Sequence, residues 1–325
     1  MIYSRFEDID LQQFSLNSKK QLIVGDVLFE TPLSIIRGKK SSPIVFLVAG
    51  LHGSEWPGVY ALLTLGTMIN PEMLQGTLVV LPLANIQAVS QKARASFYDS
   101  LDINREFPGD HDGQPSQRLA ANIFSRLVME SDYVLDYHAA GSTGIYYPHV
   151  ICFDKNDHHL ADFKVNTIRY GVNRQGILLT EANSRGVKTY AMESGGGLVL
   201  NHMYVKRIIM ATFSFFNAIG LVDPEHAANK NILKSAREPE YYYYFSRKIL
   251  INAEMGGLIK WDLELGEFVE QGQKMGTMYQ FDFNKAPIIA KRDGLFLYRR
   301  DSLVMKGESL YHLAVDVEKV KNDRT

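Results

Sequence analysis

His52-Gly53-Ser54-Glu55 sets an imidazole and a carboxylate three residues apart, close enough on one turn to converge on a single cation. The pair alone is a common pattern. With nine His among 325 residues and 36 acidic ones, roughly one such spacing is expected by chance, and a second occurs at His159/Asp162. A polar loop at a helix start is the alternative reading. His138 adds a third donor: it ends the apolar run Asp132-Tyr-Val-Leu-Asp136-Tyr-His138 and precedes Ala139-Ala-Gly-Ser. Two imidazoles and one carboxylate form the protein half of hydrolytic zinc sites, whose fourth position stays open to water. Taken singly, a strand-end His138 also reads as a hydrogen bonder at the sheet rim. Asp136, two residues earlier, points to the same side of the strand and is suited to orient an imidazole, with that of another ligand the expected one.

Activated water needs a group to take its proton and hand it to the departing amine. Glu193, at the end of the apolar run Val187–Met192 and before Gly195-Gly-Gly, has the right type and place, although an ordinary loop acid would look the same. In Asp102-Ile-Asn104-Arg105, an arginine fork beside an amide suits capture of a carboxylate. Arg94, upstream, has the charge to stabilise an oxyanion on the attacked carbonyl; a lone loop arginine is otherwise a solvated surface residue.

These residues need strands to hold them. Ile44–Ala49 is a continuous apolar run ended by Gly50, as in a strand buried on both faces. A helix is expected over Gly58–Met68 with Pro57 in its first turn, then a strand at Thr77–Pro82 and a helix at Gln117–Met129. Strands at Asp132–Tyr137 and Val187–Met192 and a long helix over about Leu200–Ile219 complete the series. Such alternation predicts an α/β fold with a mostly parallel mixed sheet flanked by helices, and ligands gather at the carboxyl ends of its strands. Near residue 226 the chain turns polar, and after Lys248 short alternating segments are divided by glycines, which predicts a small all-β domain. The expected division is 1–235 and 236–325.

Composition narrows the function classes. Lys+Arg 35 against Asp+Glu 36 gives a net charge of -1, which argues against nucleic acid or an anionic membrane as partner. The single Cys152 excludes an intrachain disulfide framework and fits a reducing, cytoplasmic compartment. No basic and apolar leader opens the chain, and no run of 18 apolar residues occurs, so no membrane span is expected. The chain reads as cytoplasmic, and self-association into a homo-oligomer stays open.

The series Ala49-Gly-Leu-His52-Gly-Ser-Glu55, Asp102-Ile-Asn104-Arg105-Glu-Phe-Pro-Gly, Asp136-Tyr-His138 and Glu193-Ser-Gly-Gly-Gly resembles the succinylglutamate desuccinylase/aspartoacylase family of the zinc carboxypeptidase clan, over about residues 30 to 315. The resemblance implies one Zn2+ per chain held by His52, Glu55 and His138, with Glu193 as catalytic acid/base and Asn104 with Arg105 gripping the substrate carboxylate. It also implies an upstream arginine on the scissile carbonyl, for which Arg94 is the nearest match. The chain departs from many relatives at Ala139-Ala140, where they carry a Ser-Gly-type pair, and this is expected to alter the pocket wall rather than the metal. The function implied is a zinc-dependent amidohydrolase acting on a small-molecule N-acyl amino acid. A metallocarboxypeptidase-like peptidase and a non-catalytic zinc-containing binding protein are the rivals; the presence of Glu193 argues against the second.

The glycine-punctuated C-terminal segment resembles a biotinyl/lipoyl-like fold, which relatives carry as a cap beside the active site. Lys285 is expected to be unmodified, because its spacing to Gly272 and Gly294 is lopsided. Tyr298 reads as a half-buried strand residue within reach of the cleft, and Tyr241–Tyr244 as packing between domains. His158, His159 and Asp162 offer a rival metal trio, set in a polar segment better read as a solvated loop or helix start. His149, His202, His226 and His312 lack partners at usable spacing.

Overall fold

The computed structural model describes residues 2–25, 30–198 and 200–324. Its centre is the strand Ile44–Ala49, all six residues of which are buried. Side chains alternate across a strand, and both faces here are apolar: Val45, Leu47 and Ala49 pack with Leu62, Leu65 and Ile208. Ile44, Phe46 and Val48 pack with Leu119, Ile123 and Phe124. Full burial of each Val, Leu, Ile or Phe side chain among them contributes about 1.5–3 kcal/mol. Helices Trp56–Met68 and His202–Ala218 cover the first face and Pro115–Ile123 the second.

Ile44–Ala49 pairs in parallel with Thr77–Leu81 on one side and Tyr133–His138 on the other, and the latter pairs in parallel with Lys188–Gly196. All four strands therefore end on the same edge, with His138 directly beside Glu193. Parallel pairing dominates this centre and recurs where Ile2–Arg5 meets Ser18–Gly25 and where Thr167–Arg169 meets its two neighbours. Glu30–Arg37 and Ser18–Gly25 add antiparallel strands at one flank and Gly144–Ile151 at the other. The flanking strands lacked a clean apolar signature because Pro32 and Pro148 lie within them. The register between Gly144–Ile151 and Lys188–Gly196 shifts between Tyr146 and His149, so Pro148 sits at an irregularity, where a missing N–H is tolerated.

Other elements match with small shifts. Pro57 occupies the first turn of Trp56–Met68, as expected. The helix anticipated at Gln117–Met129 starts earlier, at Pro115, and changes to a wider turn at Phe124–Val128. The strand anticipated at Val187–Met192 extends to Gly196, so Glu193 lies inside it rather than in the loop after it.

From Tyr241 onward the described residues form ten strands and no helix. Gly294–Arg300, Ser309–Val315 and Arg247–Asn252 prolong the large sheet beyond Gly144–Ile151, through the pair Tyr298↔Tyr146. A separate four-stranded antiparallel sheet holds Lys285–Ile289, Lys274–Gln280, Gly257–Trp261 and Leu303–Val304. Tyr241–Phe245 pairs with Glu318–Lys321 and with Thr167–Arg169, stitching the two parts of the chain together. Among the described residues no helix is long and apolar enough to cross a membrane.

Candidate active site

The loop after Ile44–Ala49 carries His52 and Glu55, and it is held tightly against its neighbours. A Cβ on Gly53 would lie 1.8 Å from the Ala88 carbonyl oxygen, so only glycine fits between the two functional side chains. Glu55 stands at the N-cap of Trp56–Met68, yet its carboxylate does not cap the helix. It faces the two imidazoles instead: His52 Nδ1 lies 2.9 Å from Glu55 Oε1, and His138 Nδ1 lies 2.9 Å from Glu55 Oε2. The Ala139 N–H also donates to Glu55 Oε2, at 3.2 Å. His52, Glu55 and His138 are all buried, and each offers a ligand atom within 4.8 Å of the others, an arrangement that could hold a metal ion.

The outer nitrogens are also engaged, so each ring is fixed in direction. His52 Nε2 lies 2.9 Å from Asp102 Oδ1, and His138 Nε2 lies 2.9 Å from Asp136 Oδ2. An imidazole whose far N–H donates to a carboxylate presents its other nitrogen as a lone-pair donor, the usual support for a metal-bound histidine. Asp136 thus orients His138 itself, not another ligand, because the far nitrogen of the other imidazole, His52, already faces Asp102. The partner of His52 is Asp102, the first residue of the Asp-x-Asn-Arg motif, whose spacing in the sequence does not reveal this contact. Asp102 also accepts from Arg94 Nε at 3.0 Å and from Arg94 Nη2 at 2.9 Å. That brings Arg94 Nη1 to 3.7 Å from Glu55 Oε1, so Arg94 does join the cluster. Asn104 is nearly buried: its Oδ1 accepts from the Leu178 N–H at 2.9 Å, and its Nδ2 lies 3.1 Å from His138 Nε2.

His52, Glu55, His138, Glu193, Arg94 and Arg105 line one cavity of about 660 Å³, and Asn104 lines it too. Burial opposes the charged form of Glu55, yet His52 and His138 hold its carboxyl well below the usual carboxylate range. Glu193 goes the other way: burial, reinforced by the Glu55 charge, pushes it up to about 7. Two carboxyls in one cavity with opposite tendencies give one anionic group and one able to exchange a proton near neutral pH. Glu193 Oε2 is buried with no hydrogen-bond partner.

The rival trio is not assembled as a metal cluster among the described residues. His159 Nδ1 lies 2.9 Å from Asp162 Oδ2, and the ring packs edge-on to Tyr133 and Phe215. It is a buried structural histidine at the start of the short helix Leu160–Phe163, not a solvated one. Tyr298 does reach the cavity, as does His312, which has no partner at usable spacing in the sequence. Arg169, Lys248 and Tyr146 line it as well, and no local signal marks them, since pairing between distant strands is what assembles them; Arg174 joins them from the loop after Thr167–Arg169. Ala139 and Ala140 form part of the wall, where the departure from relatives was expected to act.

His149 and His312 are both held neutral, with burial lowering each to about 3. A depressed histidine stabilises the fold fully above its unfolded value of about 6.5, and that contribution fades as pH falls toward the folded value. Stability is therefore expected to drop on acidification between about pH 6.5 and 4, by up to about 1.4 kcal/mol per pH unit for each histidine. Melting curves across that range should be shallower in pH for His149→Gln and His312→Gln than for the parent chain; identical slopes would refute the assignment.

Residues 41–219, more than half of the 325, match the family model of the succinylglutamate desuccinylase/aspartoacylase catalytic domain. Over 302 residues the chain is 28% identical to the N-alpha-acetyl-L-2,4-diaminobutyric acid deacetylase of Halomonas elongata, spanning 88% of this chain and 86% of that one. The structure of a succinylglutamate desuccinylase/aspartoacylase from Rhodobacter sphaeroides superposes with a TM-score of 0.77 at 22% identity, covering 97% of this chain and 98% of its own. The product-bound ectoine utilization protein EutE (DoeB) from Ruegeria pomeroyi superposes with a TM-score of 0.78 at 20% identity, covering 95% and 98%. At these identities the structural likeness speaks for the fold.

Proposed function

Since the chain belongs to the succinylglutamate desuccinylase/aspartoacylase family, we propose that it is a zinc-dependent hydrolase that removes the acyl group from an N-acylated amino acid. The observation that carries the reading is the convergence of His52, Glu55 and His138 on one point, with Glu193 in the same cavity. A donor set of two imidazole nitrogens and a carboxylate, each imidazole backed by an acid, fits Zn2+. When bound there, the ion supplies Lewis-acid activation of water and of the amide carbonyl.

The chain's own residues do the remaining work. Glu193 takes the proton of the attacking water and passes it to the amine nitrogen as the C–N bond breaks, a task suited to a carboxyl poised near neutral pH. Arg94, held in place by Asp102, stabilises the negative charge that develops on the carbonyl oxygen. Arg105 grips the amino acid's carboxylate, and the Asn104 amide, fixed by Leu178, frames that end of the cavity. The products are a carboxylic acid and a free amine. The relative named as a deacetylase supports the amide substrate class. We read residues 1–235 as the catalytic unit and 236–325 as its β cap, because Lys248, Tyr298 and His312 line the cavity. The four-stranded antiparallel sheet is what supports the biotinyl/lipoyl-like reading of the cap. A cytoplasmic location fits the buried free thiol of Cys152.

The test is amine release from a panel of N-formyl, N-acetyl and N-succinyl amino acids by the purified protein, with small peptides in parallel. Hydrolysis of acyl amino acids is expected, lost after chelation and restored by Zn2+. Turnover that survives complete metal removal, or turnover of peptides alone, would overturn the proposal.

A further inference from the structure

Helix His202–Ala218 carries no acidic residue, and one of its faces holds positive charge that nothing nearby balances. Met203, Arg207, Met210 and Ser214 follow one another at intervals of three and four residues, so they stand in one row along the helix. Together with residues 163–165 and with residues 235–237, just past helix Ala227–Leu233, that row encloses a groove of about 300 Å³. The groove shares no lining residue with the catalytic cavity.

Four cations line it, Lys164, Lys206, Arg207 and Arg237, and no acid does. Lys164 is held by Glu238 at 3.1 Å, but the other three make no ion pair among the described residues. The whole chain has a net charge of only -1, so this is a local surplus rather than a general basicity. Three unpaired cations around one concavity focus a positive potential there, and a single carboxylate would leave most of it unanswered. A phosphate answers it better, with about 1.5 to 2 negative charges at neutral pH and three acceptor oxygens.

Between the cations the floor is apolar: Phe163, Val165 and Ala211 are buried there, and Met203 is 56% exposed above them. One polar atom interrupts it. Ser214 lines the groove at 4% exposure, and its Oγ is buried with no hydrogen-bond partner. A helical hydroxyl commonly returns to the carbonyl four residues back, as that of Thr212 does to Ile208 at 2.8 Å. Ser214 does not, which leaves its donor and lone pairs for whatever fills the groove. That decides the body of the ligand. An alkyl chain would suit the methionines and leave the hydroxyl stranded. A heteroaromatic ring brings nitrogen or oxygen atoms to Ser214 and a ring to the thioethers of Met203 and Met210.

We propose that this groove binds a nucleoside monophosphate, its base over Met203 and Met210 with a hydrogen bond to Ser214, and its phosphate among Lys206, Arg207 and Arg237. The site is independent of the hydrolytic reading.

The experiment titrates the zinc-loaded protein by calorimetry at about 0.15 M salt with adenosine monophosphate, adenosine and inorganic phosphate, and sediments it with vesicles of anionic phospholipid. Adenosine monophosphate is expected to bind one site per chain, at least about tenfold more tightly than adenosine or phosphate. Lys206→Gln and Arg237→Gln should each weaken it about 10–100-fold, the worth of a hydrogen bond to a charged group. Ser214→Ala should weaken it about three- to tenfold, the worth of a neutral hydrogen bond, and leave phosphate binding unchanged. Arg105→Met, in the catalytic cavity, should leave nucleotide binding as it is, and melting curves check that each variant folds. Affinity that survives the three groove substitutions, or that is lost with Arg105→Met, would put the nucleotide in the catalytic cavity and overturn the proposal. So would adenosine or phosphate binding as tightly as the nucleotide, or sedimentation with vesicles in place of nucleotide binding. No saturable binding of any probe would mark a solvated basic face and overturn the proposal while the deacylase reading stands.

Discussion

Glu193→Gln is expected to lower kcat by about 10²–10⁴-fold, the usual contribution of a positioned proton-transfer group, with KM and metal content close to those of the parent. The substitution keeps the size of the side chain and removes only its ability to accept and return a proton. Glu193 is not one of the three residues whose ligand atoms converge, so the metal donor set stays whole. Its backbone pairs with His138 on one side and His149 on the other, which fixes where the side chain enters the cavity. The carboxyl is buried and raised to about 7, so in its base form it accepts a proton readily, and activity should rise with pH through the neutral range. Glu193→Gln should also flatten that rise. The check is a pH profile of kcat/KM together with metal analysis of both proteins. A variant within tenfold of the parent, or one whose loss follows lost metal, would move the proton transfer to another residue.

The legible part of this site was the part carried by single strands and their ends. A run such as Ile44–Ala49 must be buried on both faces, its parallel neighbours must end on the same edge, and residues just past those ends must meet. His52, Glu55 and His138 follow from that logic, as does Glu193, although its strand runs on past it to Gly196. Pairing among the strands beyond this centre was not legible. Arg169, Lys248 and His312 come to the cavity through Thr167–Arg169, Arg247–Asn252 and Ser309–Val315, three strands whose order in the sheet bears no simple relation to their order in the chain. Each of these residues is unremarkable in its own segment. The same holds for Asp136, where spacing on the strand showed a shared face but not which imidazole it would meet.

Asp102 is where the two kinds of information join, and two substitutions should separate its duties. Its Oδ1 faces His52 Nε2 and also accepts from the Asn104 N–H at 3.0 Å, while its Oδ2 takes both contacts from Arg94. Asp102→Ala removes everything at once. Zinc affinity is expected to fall about 10–100-fold, as when the carboxylate behind a ligand histidine is lost, and Arg94 loses its anchor. Asp102→Asn is subtler. With its oxygen retained toward His52 and Asn104, its amide must face Arg94, placing donor against donor where a charged pair stood. Arg94 then swings away, and the expected cost is about 10²–10³-fold in kcat, that of a missing oxyanion donor, with zinc affinity largely kept. Measuring zinc affinity by competition with a chromogenic chelator, and kcat at saturating metal, distinguishes the two. If both variants lose metal to the same extent, the charge of Asp102 rather than its oxygen holds His52. If Asp102→Asn keeps full kcat, Arg94 has no part in stabilising the oxyanion.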